Sequence, residues 1–158
     1  MLEAIRDAGV DLGKVGVRLN PSLDVMGGMT LDAETLPTAE YVVQRLNDYG
    51  LAYLHLMRPF TDMSQNPLGE PNIAQRFRPL YQGTLIINKD FDQEEANTIV
   101  AEGEADLVAF GKPFIANPDL VARFAQHAPL AEPDKETFYT PGPKGYTDYP
   151  ALAEPVTN

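Results

Sequence analysis

The stretch GTLIINKDFDQEEANTIVAEGEADLVAFGKPFIANPDLVARF, residues 83–124, decides the fold. It opens on an apolar, β-branched run bounded by Gly83 and Asn88, the pattern of a short buried strand. A helix is predicted over 92–103: Asp92 is the N-cap candidate, Glu94 and Glu95 favour the positive end, and Ala96, Ile99 and Val100 form an apolar stripe. ADLVAF, 105–110, is the next strand. NPDLVARFAQH, 117–127, is the next helix, with Asn117 as N-cap, Pro118 at the first helical position and Asp119 complementing the dipole. Apolar strands alternating with amphipathic helices indicate a parallel sheet covered by those helices.

The same alternation extends towards the N-terminus. LEAIRDA, 2–8, is helix-like and ends at Gly9; KVGVRLNP, 14–21, is a short strand with Val15 and Val17 on one face and Arg18 near its end. TAEYVVQRLNDYG, 38–50, is a helix capped by Thr38 and closed by Gly50, with Val42, Leu46 and Tyr49 on one face. LAYLHLMRP, 51–59, is a strand ended by Pro59. A long connection over 60–70 leads to a short helix at 72–80, and SLDVMGGMT is a loop freed by Gly27-Gly28. From Ala128 the chain is Pro-rich and irregular. A leading helix followed by four strand-helix units leaves two architectures open: a doubly wound sheet, and a segment of a (β/α)8 barrel. A full barrel needs about 250 residues, and this chain has 158.

Bulk composition excludes several function classes. A net charge of −11 argues against a nucleic-acid surface, which needs clustered Lys and Arg. Without cysteine there are no disulfides, thiolate metal sites or cysteine nucleophiles, which fits a reducing cytoplasm. No apolar run approaches the roughly 20 residues of a membrane span, and the N-terminus lacks a signal-peptide pattern. The expectation is a cytoplasmic protein with neither nucleic-acid nor membrane partners.

In α/β proteins the site sits at strand ends, which here are Arg18, His55, Asn88-Lys89 and Gly111-Lys112. Two cations beside exposed backbone amides after the last two strands suit a phosphate cradle; they equally suit solvated loop lysines. Arg18 within an apolar strand needs either an ion pair with one of the 23 carboxylates or a ligand to face. His55 reads as a hydrogen-bonded core histidine, and His127 has no assigned role. No HxxH, GxSxG or GxGxxG occurs. Glu94-Glu95 and Asp32/Glu34 read as helix-start charges.

VGVRLNP, AYLHL, GTLIIN, FGKPFIANPDL and FYTPGPKGYTDYP together resemble the old yellow enzyme family, over nearly the whole chain. That resemblance implies the C-terminal half of an FMN-binding (β/α)8 barrel, its fifth to eighth strand-helix units. Residues 1–127 would form the half-barrel and 128–158 the irregular C-terminal segment. It implies FMN as cofactor, NAD(P)H as reductant and an activated alkene as substrate. Arg18 matches the arginine facing the flavin N1–C2 edge. Asn88 and Lys89 match the seventh-strand turn whose amides meet the FMN phosphate, Gly111 and Lys112 the eighth-strand phosphate site, and Tyr139 an aromatic residue at the outer edge of the substrate site.

The sequence also departs from the family pattern. Lys112 replaces the usual arginine, exchanging a bidentate fork for a point charge. Asn88-Lys89-Asp90 is bulkier than the usual small-residue turn, and the loop at SLDVMGGMT differs too. The family's substrate-binding His/His or His/Asn pair and its proton-donor tyrosine belong to an earlier strand and have no counterpart in this sequence. Two readings follow. One is half of an ene-reductase, completed by a missing N-terminal half. The other is a non-catalytic FMN- or phosphate-binding module, or a half-barrel that self-associates.

Overall fold

The computed structural model describes residues 1–24 and 29–152. Gly27-Gly28 and the last six residues of the C-terminal segment lie outside the described residues. The chain divides into two compact units, one from Met1 to Ala109 and one from Phe110 onward.

The first unit carries α1 (Leu2–Asp7), β1 (Gly16–Leu19), α2 (Thr35–Leu46), β2 (Tyr53–Met57), α3 (Ile73–Phe77), β3 (Leu85–Asn88), α4 (Gln93–Ala101) and β4 (Leu107–Ala109). All strand pairs are parallel and the order is β1-β2-β3-β4. A doubly wound sheet reverses its strand order at a switch point; this one advances by one strand at every crossover, as a barrel does.

Alternation of side chains divides the sheet into two faces. Leu54, Leu56, Leu85 and Ile87 are buried, together with Val43 and Leu46 of α2 and Ile73 and Phe77 of α3. Burial of each such side chain contributes about 1.5–3 kcal/mol, so this helix-covered face holds the unit together. The opposite face carries Arg18, Tyr53, His55, Met57, Ile86, Asn88 and Leu107. Tyr53 and Leu107 on it are exposed. At the entrance to β3 and β4, Arg78 Nη1 donates to Asp106 Oδ2 at 2.8 Å, and Leu85 N donates to the same oxygen at 2.7 Å. Arg78 Nη2 also reaches the carbonyls of Tyr81 and Gly83. That clasp fixes the N-terminal strand ends and leaves the C-terminal ends for other chemistry.

Asp92 caps α4 as expected, its Oδ1 accepting from Glu95 N at 2.8 Å. The cap expected at Thr38 is displaced. Helix α2 starts at Thr35, and the polar groups at its start are Asp32 and Thr35, joined by a 2.8 Å hydroxyl-carboxylate bond. Pro37 explains the shift, because it lies in the first turn, where a missing N–H costs nothing.

The second unit begins with α5 (Lys112–Ala116), a helix where the sequence suggests only the strand end at Gly111-Lys112, and α6 (Leu120–Gln126). Asn117 does not cap α6. It is fully buried, donating to the carbonyls of Pro113 (2.8 Å) and Ala131 (3.0 Å) and accepting from Ala131 N (2.8 Å). Asp119 and Arg123 also bind the irregular segment. Arg123 donates to Asp119 Oδ1 at 2.7 Å and to the carbonyls of Pro129 and Pro150, while Asp119 Oδ2 accepts from Leu152 N at 2.7 Å. The segment after Ala128 is therefore irregular in backbone but fixed by buried polar groups.

Candidate functional site

On the open sheet face of the first unit, strand register sets Arg18 beside His55 and Met57 beside Asn88. Arg18 Nη2 donates to Asn88 Oδ1 at 3.3 Å and to Met57 Sδ at 3.2 Å. Its partners are thus neutral, and the ion pair weighed as one reading of Arg18 is not formed among the described residues. A guanidinium has five N–H donors. Both on Nη2 are engaged; those on Nε and Nη1 have no partner among the described residues.

His55 stands in the same row as Arg18. Its Nε2 is shielded from solvent with no hydrogen-bond partner among the described residues. Burial lowers its pKa, the Arg18 charge lowers it further, and the polar Asn88 side chain nearby opposes both. The imidazole is therefore held neutral near neutral pH, which avoids a second cation beside Arg18. Chain spacing alone does not signal this cluster: Met57 is one apolar residue of the strand LAYLHLMRP, and His55 reads as a core histidine.

The strand-end turn after β3 is strained. Lys89 and Asp90 have φ of 95° and 54°, a region that favours glycine. Lys89 forms an ion pair with Asp90, and its ammonium lies 5.1 Å from the Phe60 ring centroid. The long 60–70 connection thus supplies an aromatic neighbour to this cation. Arg18, Asn88 and Lys89 are brought to one region of the first unit.

Gly111, Lys112 and Tyr139 belong to the second unit and border one groove of about 580 Å³ with Phe114, Phe138 and Tyr146. Tyr139 is 96% exposed at a φ of 63°, and its ring meets Phe138 edge-on at 6.4 Å. A Cβ added at Gly111 would meet nothing within 4 Å among the described residues. Packing within the chain does not demand a glycine there, whereas close approach of a ligand to the backbone would.

Residues 1–131 match the family model described as the NADH:flavin oxidoreductase / NADH oxidase family. This chain belongs to that family. It is 43% identical over 152 residues to 12-oxophytodienoate reductase 1 of Oryza sativa subsp. japonica, covering 93% of this chain and 39% of the relative. The structure of the old yellow enzyme from Trypanosoma cruzi superposes with a TM-score of 0.76 at 38% identity, over 87% of this chain and 35% of that one. A morphinone reductase variant in complex with tetrahydroNAD gives 0.84 at 37% identity, over 99% of this chain and 41% of the other. The chain thus spans about two fifths of the length of these relatives. Its four consecutive parallel strands correspond to part of their barrel, which answers the choice left open between a doubly wound sheet and a barrel segment. The family uses FMN. Within the first unit, the Arg18 donors that have no partner among the described residues, together with the Lys89 cation, are chemically suited to such an anionic, carbonyl-edged group.

Proposed function

We propose that the chain supplies the flavin-facing C-terminal half, residues 1–127 with the segment 128–158, of an FMN-dependent NAD(P)H:alkene oxidoreductase acting on activated C=C bonds. The observation that carries this reading is Arg18: a strand arginine on an open sheet face, held by neutral groups, with the donors on Nε and Nη1 unused among the described residues. A permanent cation in that state suits the electron-rich carbonyl edge of a flavin and stabilises negative charge there.

In this reading Arg18 binds the ring edge, and Asn88 and Lys89 bind phosphate through turn amides and charge. Gly111 and Lys112 match the family's eighth-strand phosphate position, and Tyr139 its substrate edge. Bound FMN would supply hydride exchange between the nicotinamide and the alkene. The chain's own residues bind, orient and neutralise; none of them is assigned proton donation. The open face, with Tyr53 and Leu107 exposed on it, calls for covering by an N-terminal half or a second copy.

The second reading is an FMN- or phosphate-binding module without catalysis. Anaerobic mixing of the FMN-loaded protein with NADPH or NADH, then with cyclohexenone, separates the two. Bleaching of the flavin followed by reoxidation supports the oxidoreductase. Flavin that dithionite bleaches but neither nucleotide does leaves the binding module.

A further inference from the structure

Resting on that reading, we propose that Asn88 acts through its side chain as a positioning residue for Arg18, and that Met57 shares the task, so that the guanidinium presents single N–H prongs rather than a fork. The two N–H groups of Nη2 are both spent, one on Asn88 Oδ1 at 3.3 Å and one on Met57 Sδ at 3.2 Å. Each of the two bidentate edges of a guanidinium includes Nη2, because that nitrogen pairs with Nη1 at the end and with Nε at the side. Occupying it removes both forks. The single N–H of Nε and the two of Nη1 remain, and none of these belongs to an intact fork. Such an arginine is matched to an isolated carbonyl oxygen or ring nitrogen and mismatched to a phosphate or carboxylate, which the fork prefers.

The position of Asn88 makes this a property of the fold. It is the last residue of β3, beside Met57 in the strand register, and its own carbonyl is taken by Arg58 N at 3.1 Å. Its backbone is thereby anchored while its amide lies against Arg18 and His55. Met57 is buried, so the weaker sulfur acceptor is held in place as well. The phosphate role given to Asn88 by resemblance concerns its turn amides; this one concerns its side chain, and the two are separable by substitution.

The test uses the full chain in two arms. In the first, without flavin, nitrogen-15 NMR follows Arg18 in the native protein, in Asn88→Ala and in Asn88→Asp. The native protein is expected to show slowed guanidinium rotation, Asn88→Ala at least tenfold faster rotation, and Asn88→Asp, which restores an oxygen acceptor, slow rotation again. Unchanged rotation in a folded Asn88→Ala protein overturns the proposal. If that variant does not fold, Asn88→Ser and Met57→Leu carry the same comparison. In the second arm, Asn88→Ala is expected to weaken FMN and riboflavin equally, by about tenfold. A loss confined to FMN places the side chain on the phosphate and overturns the proposal. A native protein that binds neither flavin defeats the functional reading, while the first arm still decides the role of Asn88.

Discussion

Asn117 and Ala131 exchange hydrogen bonds in both directions, Ala131 N donating to the Asn117 side-chain oxygen at 2.8 Å and the Asn117 amide donating back at 3.0 Å. A third bond, to the Pro113 carbonyl, leaves this fully buried side chain satisfied on both ends. Replacing Asn117 by alanine strands buried backbone groups, each at a cost of about 1–3 kcal/mol. Asn117→Ala is expected to lower unfolding stability by about 2 kcal/mol or more in urea titration. Asn117→Asp is expected to fail as a substitute, because a carboxylate cannot donate to the two carbonyls.

Asp119 makes stability pH-dependent at the acid end. Its bond to Arg123, then that to Leu152 N, hold its pKa below the ordinary value of 3.8. A lowered carboxyl pKa contributes stability that is complete above the unfolded value and is lost as pH falls through the folded one. Asp119→Asn should therefore be less stable near neutral pH and lose less on acidification, as read from thermal melts across the acid range.

His55 acts in a higher window. Its pKa lies below the ordinary 6.5, so on acidification the unfolded chain takes up this proton before the folded one. Stability is full above the unfolded value and falls as pH drops from there through the folded value. His55→Gln, which carries no titrating group, is expected to remove that part of the slope, while an unchanged slope would assign it to other groups.

Much of the alternation was legible in the sequence because short apolar runs bounded by Gly, Asn and Pro admit little besides strands. GTLIIN and ADLVAF became β3 and β4, and Asp92 capped α4. Asn117-Pro118-Asp119 misled for a physical reason. It carries every local mark of a helix start, but the partners that won, Ala131 and Leu152, lie 14 and 33 residues away. Arg18 and Asn88 are 70 residues apart, and no periodicity relates them; the family resemblance named both, while their hydrogen bond and the part played by Met57 emerged only from strand register.

Lys89 links stability to function. With φ at 95°, its backbone costs about 1–2 kcal/mol relative to glycine. Lys89→Gly is expected to raise the melting temperature, consistent with about 1 kcal/mol gained, while weakening FMN more than riboflavin through loss of the cation. Equal affinities for both ligands would remove Lys89 from the phosphate contact.

The central claim is that this chain carries a flavin cradle, and equilibrium titration with FMN, followed by flavin absorbance and fluorescence, tests it most directly. The account predicts saturable uptake that is tighter for FMN than for riboflavin. It further predicts a Gly111→Ala variant of unchanged thermal stability, since its Cβ meets nothing within 4 Å among the described residues, that loses the preference for FMN. A folded native protein that takes up no FMN would contradict it.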